Sequence, residues 1–114
     1  MKNAQILLLT ILLFIITSCT SNSYQELTPK TPDKPTYISN IAPIINSKCT
    51  SCHLIGGQYP ELETFTQVKT ATENGQVLCR IQQNSCGLRM PLNGSLTQSS
   101  IDVIKLWSTT GYTN

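Results

Sequence analysis

Charged side chains are scarce in this sequence. Lysine, arginine, aspartate and glutamate make up 12% of the 114 residues, and the formal net charge is +2. No stretch concentrates positive charge as a phosphate-binding surface requires, so the sequence predicts no nucleic-acid partner. No internal repeat is present either. A chain of this length predicts one small domain with a thin hydrophobic core.

Long apolar runs are also missing. The longest, residues 6–16, is interrupted by Thr10 and is shorter than the roughly 20 residues that a helix needs to cross a bilayer. Lys2 precedes this run and small residues follow it, which is the arrangement of a secretory signal peptide. We therefore expect residues 1–18 to be a targeting segment and not part of the fold.

The apolar run ends in Ile16-Thr17-Ser18-Cys19. An aliphatic residue, two small residues and a cysteine resemble the lipobox of bacterial lipoproteins. The resemblance implies cleavage before Cys19 and lipidation of that cysteine. The chain would then be anchored in the bacterial cell envelope, facing the periplasm or the outside of the cytoplasmic membrane. Ordinary signal cleavage near Ser18 is the alternative.

Residues 19–36 have the composition of a flexible tether. Pro29, Pro32 and Pro35 are spread among serine, threonine, asparagine and lysine, with few apolar residues between them. Such a segment favours extended conformations and has little apolar surface to bury. We expect it to separate a folded domain, residues 37–114, from the lipid anchor.

Histidine occurs once, at His53, directly after a pair of cysteines in Cys49-Thr50-Ser51-Cys52-His53. This spacing is the attachment motif for c-type haem. Two intervening residues let both thiols reach one porphyrin edge, and the histidine then lies beneath the iron as an axial ligand. A thioredoxin-like dithiol would need a βαβ context, and a zinc site would need a second closely spaced pair. Neither is visible, so covalent haem c is the favoured interpretation.

Methionine is nearly as rare. Met1 is lost on processing, which leaves Met90 as the only methionine of the mature chain. The single histidine excludes bis-histidine ligation within one molecule. The sixth iron ligand is therefore Met90, a less usual donor such as lysine, or an open position. Met90-Pro91 lies in an irregular stretch between Gly87 and Gly94 that could hold a side chain against the iron. A methionine packed in the core is the alternative.

Five cysteines are present, and lipid and haem account for three of them. The remaining two, Cys79 and Cys86, would face an oxidising compartment. Pairing them closes a short loop, which stabilises the fold by roughly 2.5 kcal/mol in the chain-entropy estimate. We predict this disulfide, which would restrain the segment leading into Met90. Two free buried thiols are the alternative.

Helical periodicity begins near Tyr37. Ile38, Ile41, Ala42 and Ile45 share one helix face, and the two motif cysteines continue it, so both would point to the buried side. Ser39 is the expected N-cap, and Pro43 fits only within a first turn. Residues 54–60 are expected to form a loop. In that loop the carbonyl of Pro60 is the candidate acceptor for the second ring N–H of His53.

Three further helices are expected. The first runs from Glu63 to about Thr72 and is closed by Asn74-Gly75, and a short one covers Gln76 to about Gln82. The last begins after Thr97, has Trp107 on its apolar face and ends at Gly111.

The haem motif, together with Met90-Pro91, Leu96-Thr97, Trp107 and Gly111, resembles the small class I c-type cytochromes over residues 37–114. The resemblance implies an all-α, cytochrome c-like fold with three to five short helices around one covalently bound haem. The first and last helices would cross, and the haem would lie between His53 and Met90. Trp107 would pack near the crossing or the haem edge, with Pro60 and Pro91 in the haem pocket. The interval from His53 to Met90 is short for this family.

We therefore expect a membrane-anchored, monohaem electron carrier and not an enzyme. It would pass single electrons between a redox protein donor and a redox protein acceptor, because His/Met ligation leaves no free position on the iron. One alternative is a haem sensor or peroxidase-like domain with an open iron site. The other is a redox subunit of a larger respiratory complex.

The lipobox gives a first testable prediction. The mature protein should begin at Cys19 and carry acyl chains, and Cys19→Ser should release it from the membrane fraction because the anchor is lost. Mass spectrometry of membrane-extracted protein tests this, with Ser21→Ala as the control that stays membrane-bound. An unmodified N-terminus at another residue would contradict the lipidation.

Overall fold

The computed structural model describes residues 30–82 and 86–114, and within them all regular structure is helical. A π-helical segment, Tyr37–Ile41, runs directly into α1, Ala42–Lys48. The other three helices are α2 (Phe65–Glu73), α3 (Gln76–Gln82) and α4 (Gln98–Thr109). The all-α prediction is thereby confirmed. In these residues no helix has the length and hydropathy to cross a membrane. The predicted signal peptide, Cys19 and most of the predicted tether lie outside the described residues.

The first helical segment begins earlier than expected. Thr36 has extended backbone angles, and its hydroxyl accepts a hydrogen bond from the backbone N–H of Ser39. The prediction of Ser39 as N-cap is therefore wrong, because Ser39 already lies inside the first turn. Pro35, assigned to the tether, is fully buried. Pro43 lies in the first turn of α1, as predicted, where its missing N–H costs no hydrogen bond.

The core forms where α4 packs on the π-helical segment. Trp107 is completely buried, and its ring centroid lies 6.0 Å from that of Tyr37 and 4.9 Å from that of Tyr112. Its indole Nε1–H donates to the carbonyl of Thr113 at 2.8 Å, and the same carbonyl accepts the backbone N–H of Tyr37 at 2.8 Å. The two ends of the folded region are thus joined, and Trp107 belongs to this aromatic core.

The remaining helix boundaries follow their capping residues. Thr64 forms a capping box with Gln67, so α2 begins at Phe65 and not at Glu63. It ends at Asn74-Gly75, where Gly75 has φ +75°. The bounds of α3 match the prediction. Thr97 caps α4 through the backbone N–H of Ser100, also as predicted.

The π-helical segment offers a matched test of this core. Ile41 is completely buried, whereas Ile38 is 69% exposed on the same segment. Ile41→Ala should lower the free energy of unfolding by about 2–5 kcal/mol, because it leaves a cavity. Ile38→Ala should change it by less than about 0.5 kcal/mol. Urea denaturation followed by circular dichroism measures both, and equal losses would contradict the packing described.

Candidate functional site

The haem motif begins at the C-terminus of α1. The helix ends at Lys48, and Cys49 is its C-cap, with its N–H donating to Ile45 O at 2.8 Å. The carbonyl of Cys49 then accepts the N–H groups of Cys52 and His53 at 3.2 and 3.0 Å. The motif is therefore a tight turn, and the prediction that the helix continues through Cys52 is wrong.

The two motif cysteines differ in their surroundings. Both are free thiols. Cys49 is half-buried against the core, whereas Cys52 is exposed. The prediction that both face the buried side therefore holds for Cys49 and is wrong for Cys52, because the turn rotates the second cysteine outwards. Burial raises the pKa of the Cys49 thiol from 9.0 to about 11, since the charged thiolate is poorly solvated there.

His53 is held in one orientation by the chain that follows it. Its Nδ1 lies 2.8 Å from the carbonyl oxygen of Pro60 and 3.1 Å from that of Gln58. Both oxygens can only accept, so Nδ1 must carry the hydrogen. In the neutral ring this leaves the lone pair on Nε2 available for a metal. The contact predicted for Pro60 is present, whereas no pattern in the sequence indicated the second acceptor, Gln58.

Backbone hydrogen bonds attach the same loop to the motif. Leu62, which is buried, donates its N–H to the carbonyl of His53 at 2.7 Å, and Gln58 donates to Cys52 O at 2.9 Å. The loop therefore folds back over the motif and is anchored in the core by Leu62. Sequence reasoning missed this anchor, because an apolar residue between two acidic ones gives no periodic pattern.

Met90 lies on the loop after α3 and is half-buried. Its backbone N–H donates to Arg80 O at 3.1 Å, and the guanidinium of Arg80 donates to Leu88 O at 3.0 Å. Gly87 packs against that guanidinium, where an added Cβ would lie 2.8 Å from Nη1. These contacts hold the Met90 segment against α3, and Arg80, like Gln58 and Leu62, was not predicted from the sequence.

The predicted disulfide acts on the same segment. Cys79 and Cys86 are bonded, with their Cα atoms 6.0 Å apart. Cys79 belongs to α3, and Cys86 precedes Gly87, so the covalent link and the Arg80 contacts restrain neighbouring parts of the chain. Pro91, directly after Met90, is half-buried.

The surroundings of His53 and Met90 fit a haem in two respects. First, the described residues include six large exposed hydrophobic side chains, and five of them follow His53 or flank Met90: Leu54, Ile55, Tyr59, Leu88 and Leu92. A porphyrin face could cover such surface. Second, Nε of Arg89, next to Met90, is buried without a hydrogen-bond partner. A haem propionate is an acceptor that would satisfy it.

The described residues also contain a cleft of about 310 Å³ between α2 and the loop after the motif. Its wall includes Tyr59, Pro60 and Glu61 on one side and Thr66 and Thr70 on the other. The two motif cysteines, His53 and Met90 do not line this cleft. In the part of the chain that the structure describes, no three side chains of histidine, cysteine, aspartate or glutamate come together as a metal-ion site.

No protein-family model, no curated protein and no solved structure matches the chain.

The different surroundings of the motif cysteines predict an order of alkylation in haem-free protein. Iodoacetamide should modify the exposed Cys52 before Cys49 at pH 8. With a pKa of about 11, Cys49 is almost entirely protonated at that pH. Its rate should then rise about tenfold for each pH unit up to that pKa. Peptide mass spectrometry measures both sites, with Cys49→Ser and Cys52→Ser as assignment controls. Equal rates at pH 8 would contradict the burial of Cys49.

Proposed function

We propose that this chain is a monohaem c-type cytochrome that transfers single electrons at a bacterial membrane. The observation that carries the proposal is the orientation of His53 within the Cys-x-x-Cys-His motif. The Nδ1–H group of His53 donates a hydrogen bond to the Pro60 carbonyl. In the neutral ring this leaves a lone pair on Nε2, which is available to a metal and points in a fixed direction.

Each residue then has a role. Cys49 and Cys52 would form the two thioether bonds, and Nε2 of His53 would be the proximal iron ligand. The sulfur of Met90 would be the distal ligand, and Nε of Arg89 would donate to a propionate. Haem c, when bound, supplies one-electron chemistry at its iron.

Two features of the chain favour an electron carrier over a haem enzyme: the proposed pair of iron ligands and the lack of a second histidine. If His53 and Met90 both ligate the iron, no coordination position would be left for a substrate. The sequence has no second histidine to serve as a distal acid or base. Lipidation at Cys19 would keep the domain at the membrane, where it meets a protein donor and a protein acceptor. The fold we propose is the cytochrome c-like one, with the haem between the two loops that carry the ligands.

Met90 provides the decisive test. The chain should be produced with a bacterial haem-attachment system, and the purified protein should retain haem covalently. In the ferric state it should show the near-red charge-transfer band of methionine-bound iron. Met90→Ala should abolish this band because no other methionine remains in the mature chain.

Asn93→Ala, at an exposed position of the same loop, is the matched control and should keep the band. A high-spin ferric spectrum in the unmodified protein would contradict the carrier proposal and favour a sensor or peroxidase-like domain with an open iron site. Protein that takes up no haem would overturn the cytochrome assignment itself.

A further inference from the structure

Two glutamates attach to the loop that follows the haem motif. The backbone N–H of Ile55 donates to Oε2 of Glu63 at 2.6 Å, and that of Gly56 donates to Oε1 of Glu61 at 2.8 Å. Hydrogen bonds to ionised acceptors are about twice as strong as neutral ones. Two consecutive amides of the loop are therefore held by charged groups from the segment that enters α2.

Both glutamates are themselves held by α2, Glu61 through its carboxylate and Glu63 through its backbone N–H. Nε2 of Gln67 donates to Oε2 of Glu61 at 2.8 Å, while Oε1 of Gln67 accepts the N–H groups of Glu63 and Thr64 at 3.0 and 2.9 Å. One glutamine side chain thus connects both glutamates to the first turn of a helix whose residue Val68 is completely buried. The loop is attached through these groups to a rigid element.

The loop needs external support because of its own composition. Gly56 has φ +77°, Gly57 follows it, and the segment from Leu54 to Tyr59 is exposed. Such a segment loses much conformational entropy on ordering and buries little apolar surface in return. Yet it carries the carbonyl of Gln58 and leads directly into that of Pro60, the two acceptors of His53 Nδ1–H.

We propose that Glu61 and Glu63 are positioning residues for the axial histidine. By holding the amides of Ile55 and Gly56, they keep the Pro60 carbonyl on Nδ1–H of His53. An acceptor on this hydrogen raises the electron-donating strength of the imidazole. The two carboxylates, which do not touch the imidazole, therefore act on the iron ligand through the loop. This inference rests on the proposed function only for its effect on the iron.

The first experiment uses haem-free protein and so does not depend on the cytochrome assignment. In the unmodified chain, nitrogen NMR of His53 should show the Nδ1–H tautomer. In the double variant Glu61→Ala/Glu63→Ala the ring should shift to a mixture of tautomers. Hydrogen exchange at the amides of Ile55 and Gly56 should accelerate about tenfold or more, as expected when charge-assisted hydrogen bonds are lost.

Two further variants separate positioning from general stability. Glu73→Ala removes an exposed carboxylate of α2 whose nearest cation, Lys69, lies 3.7 Å away, and it should change neither signal. The double variant Glu61→Gln/Glu63→Gln keeps an oxygen acceptor at each position and should retain most of the protection. If the double alanine variant fails to fold, the single variants Glu61→Ala and Glu63→Ala replace it, and each should accelerate exchange at the amide whose hydrogen bond it removes, Gly56 and Ile55 respectively. An unchanged tautomer and unchanged exchange in the alanine variants would overturn the proposal.

The second experiment uses haem-loaded protein. The reduction potential should rise in Glu61→Ala/Glu63→Ala, because a less electron-donating imidazole stabilises ferric iron less, and it should stay unchanged in Glu73→Ala. An unchanged potential in the double variant, with the tautomer shift observed, would overturn the effect on the iron. If Glu61→Ala/Glu63→Ala loses the Nδ1–H tautomer of His53 but the unmodified chain binds no haem, the role of the glutamates is supported and the proposed function is refuted.

Discussion

The carbonyl of Thr113 joins the two ends of the folded region. It accepts one hydrogen bond from the backbone of Tyr37 and one from the indole of Trp107. A small domain buries little surface, so the few large side chains that it does bury carry much of its stability. The aromatic contacts of Trp107 with Tyr37 and Tyr112 place the first and last helical segments together, and the other helices pack against that pair.

The proposed iron ligands both lie outside this helical framework. His53 and Met90 occupy irregular segments, and each segment is attached to a helix by hydrogen bonds to specific side chains. Gln67 of α2 connects the loop after His53 to its helix through the two glutamates, and Arg80 of α3 holds the backbone around Met90. A loop can aim a side chain only when its backbone polar groups are satisfied in one arrangement. The two helices thus serve as supports for ligand-bearing loops.

The apolar residues beside both proposed ligands are exposed. A broad exposed apolar surface lowers the solubility of a protein unless a ligand or partner covers it, so small domains rarely present one. Loops that expose Leu54, Ile55 and Leu88 can do so where a macrocycle would cover them. In the proposed cytochrome, the cofactor would therefore complete a core that 78 folded residues, 37–114, provide only in part.

The sequence by itself determined the Cys-x-x-Cys-His spacing, the scarcity of histidine and methionine, the all-helical class and the bounds of α3, because spacing and periodicity are local properties. The pairing of Cys79 with Cys86 and the Pro60 contact also followed from local chemistry. Only the tertiary structure decided that α1 ends before the motif turns and that Cys52 points outwards. It alone brought the glutamates onto the loop amides, because that contact depends on how the loop packs against α2. No periodic pattern in the chain encodes such a packing.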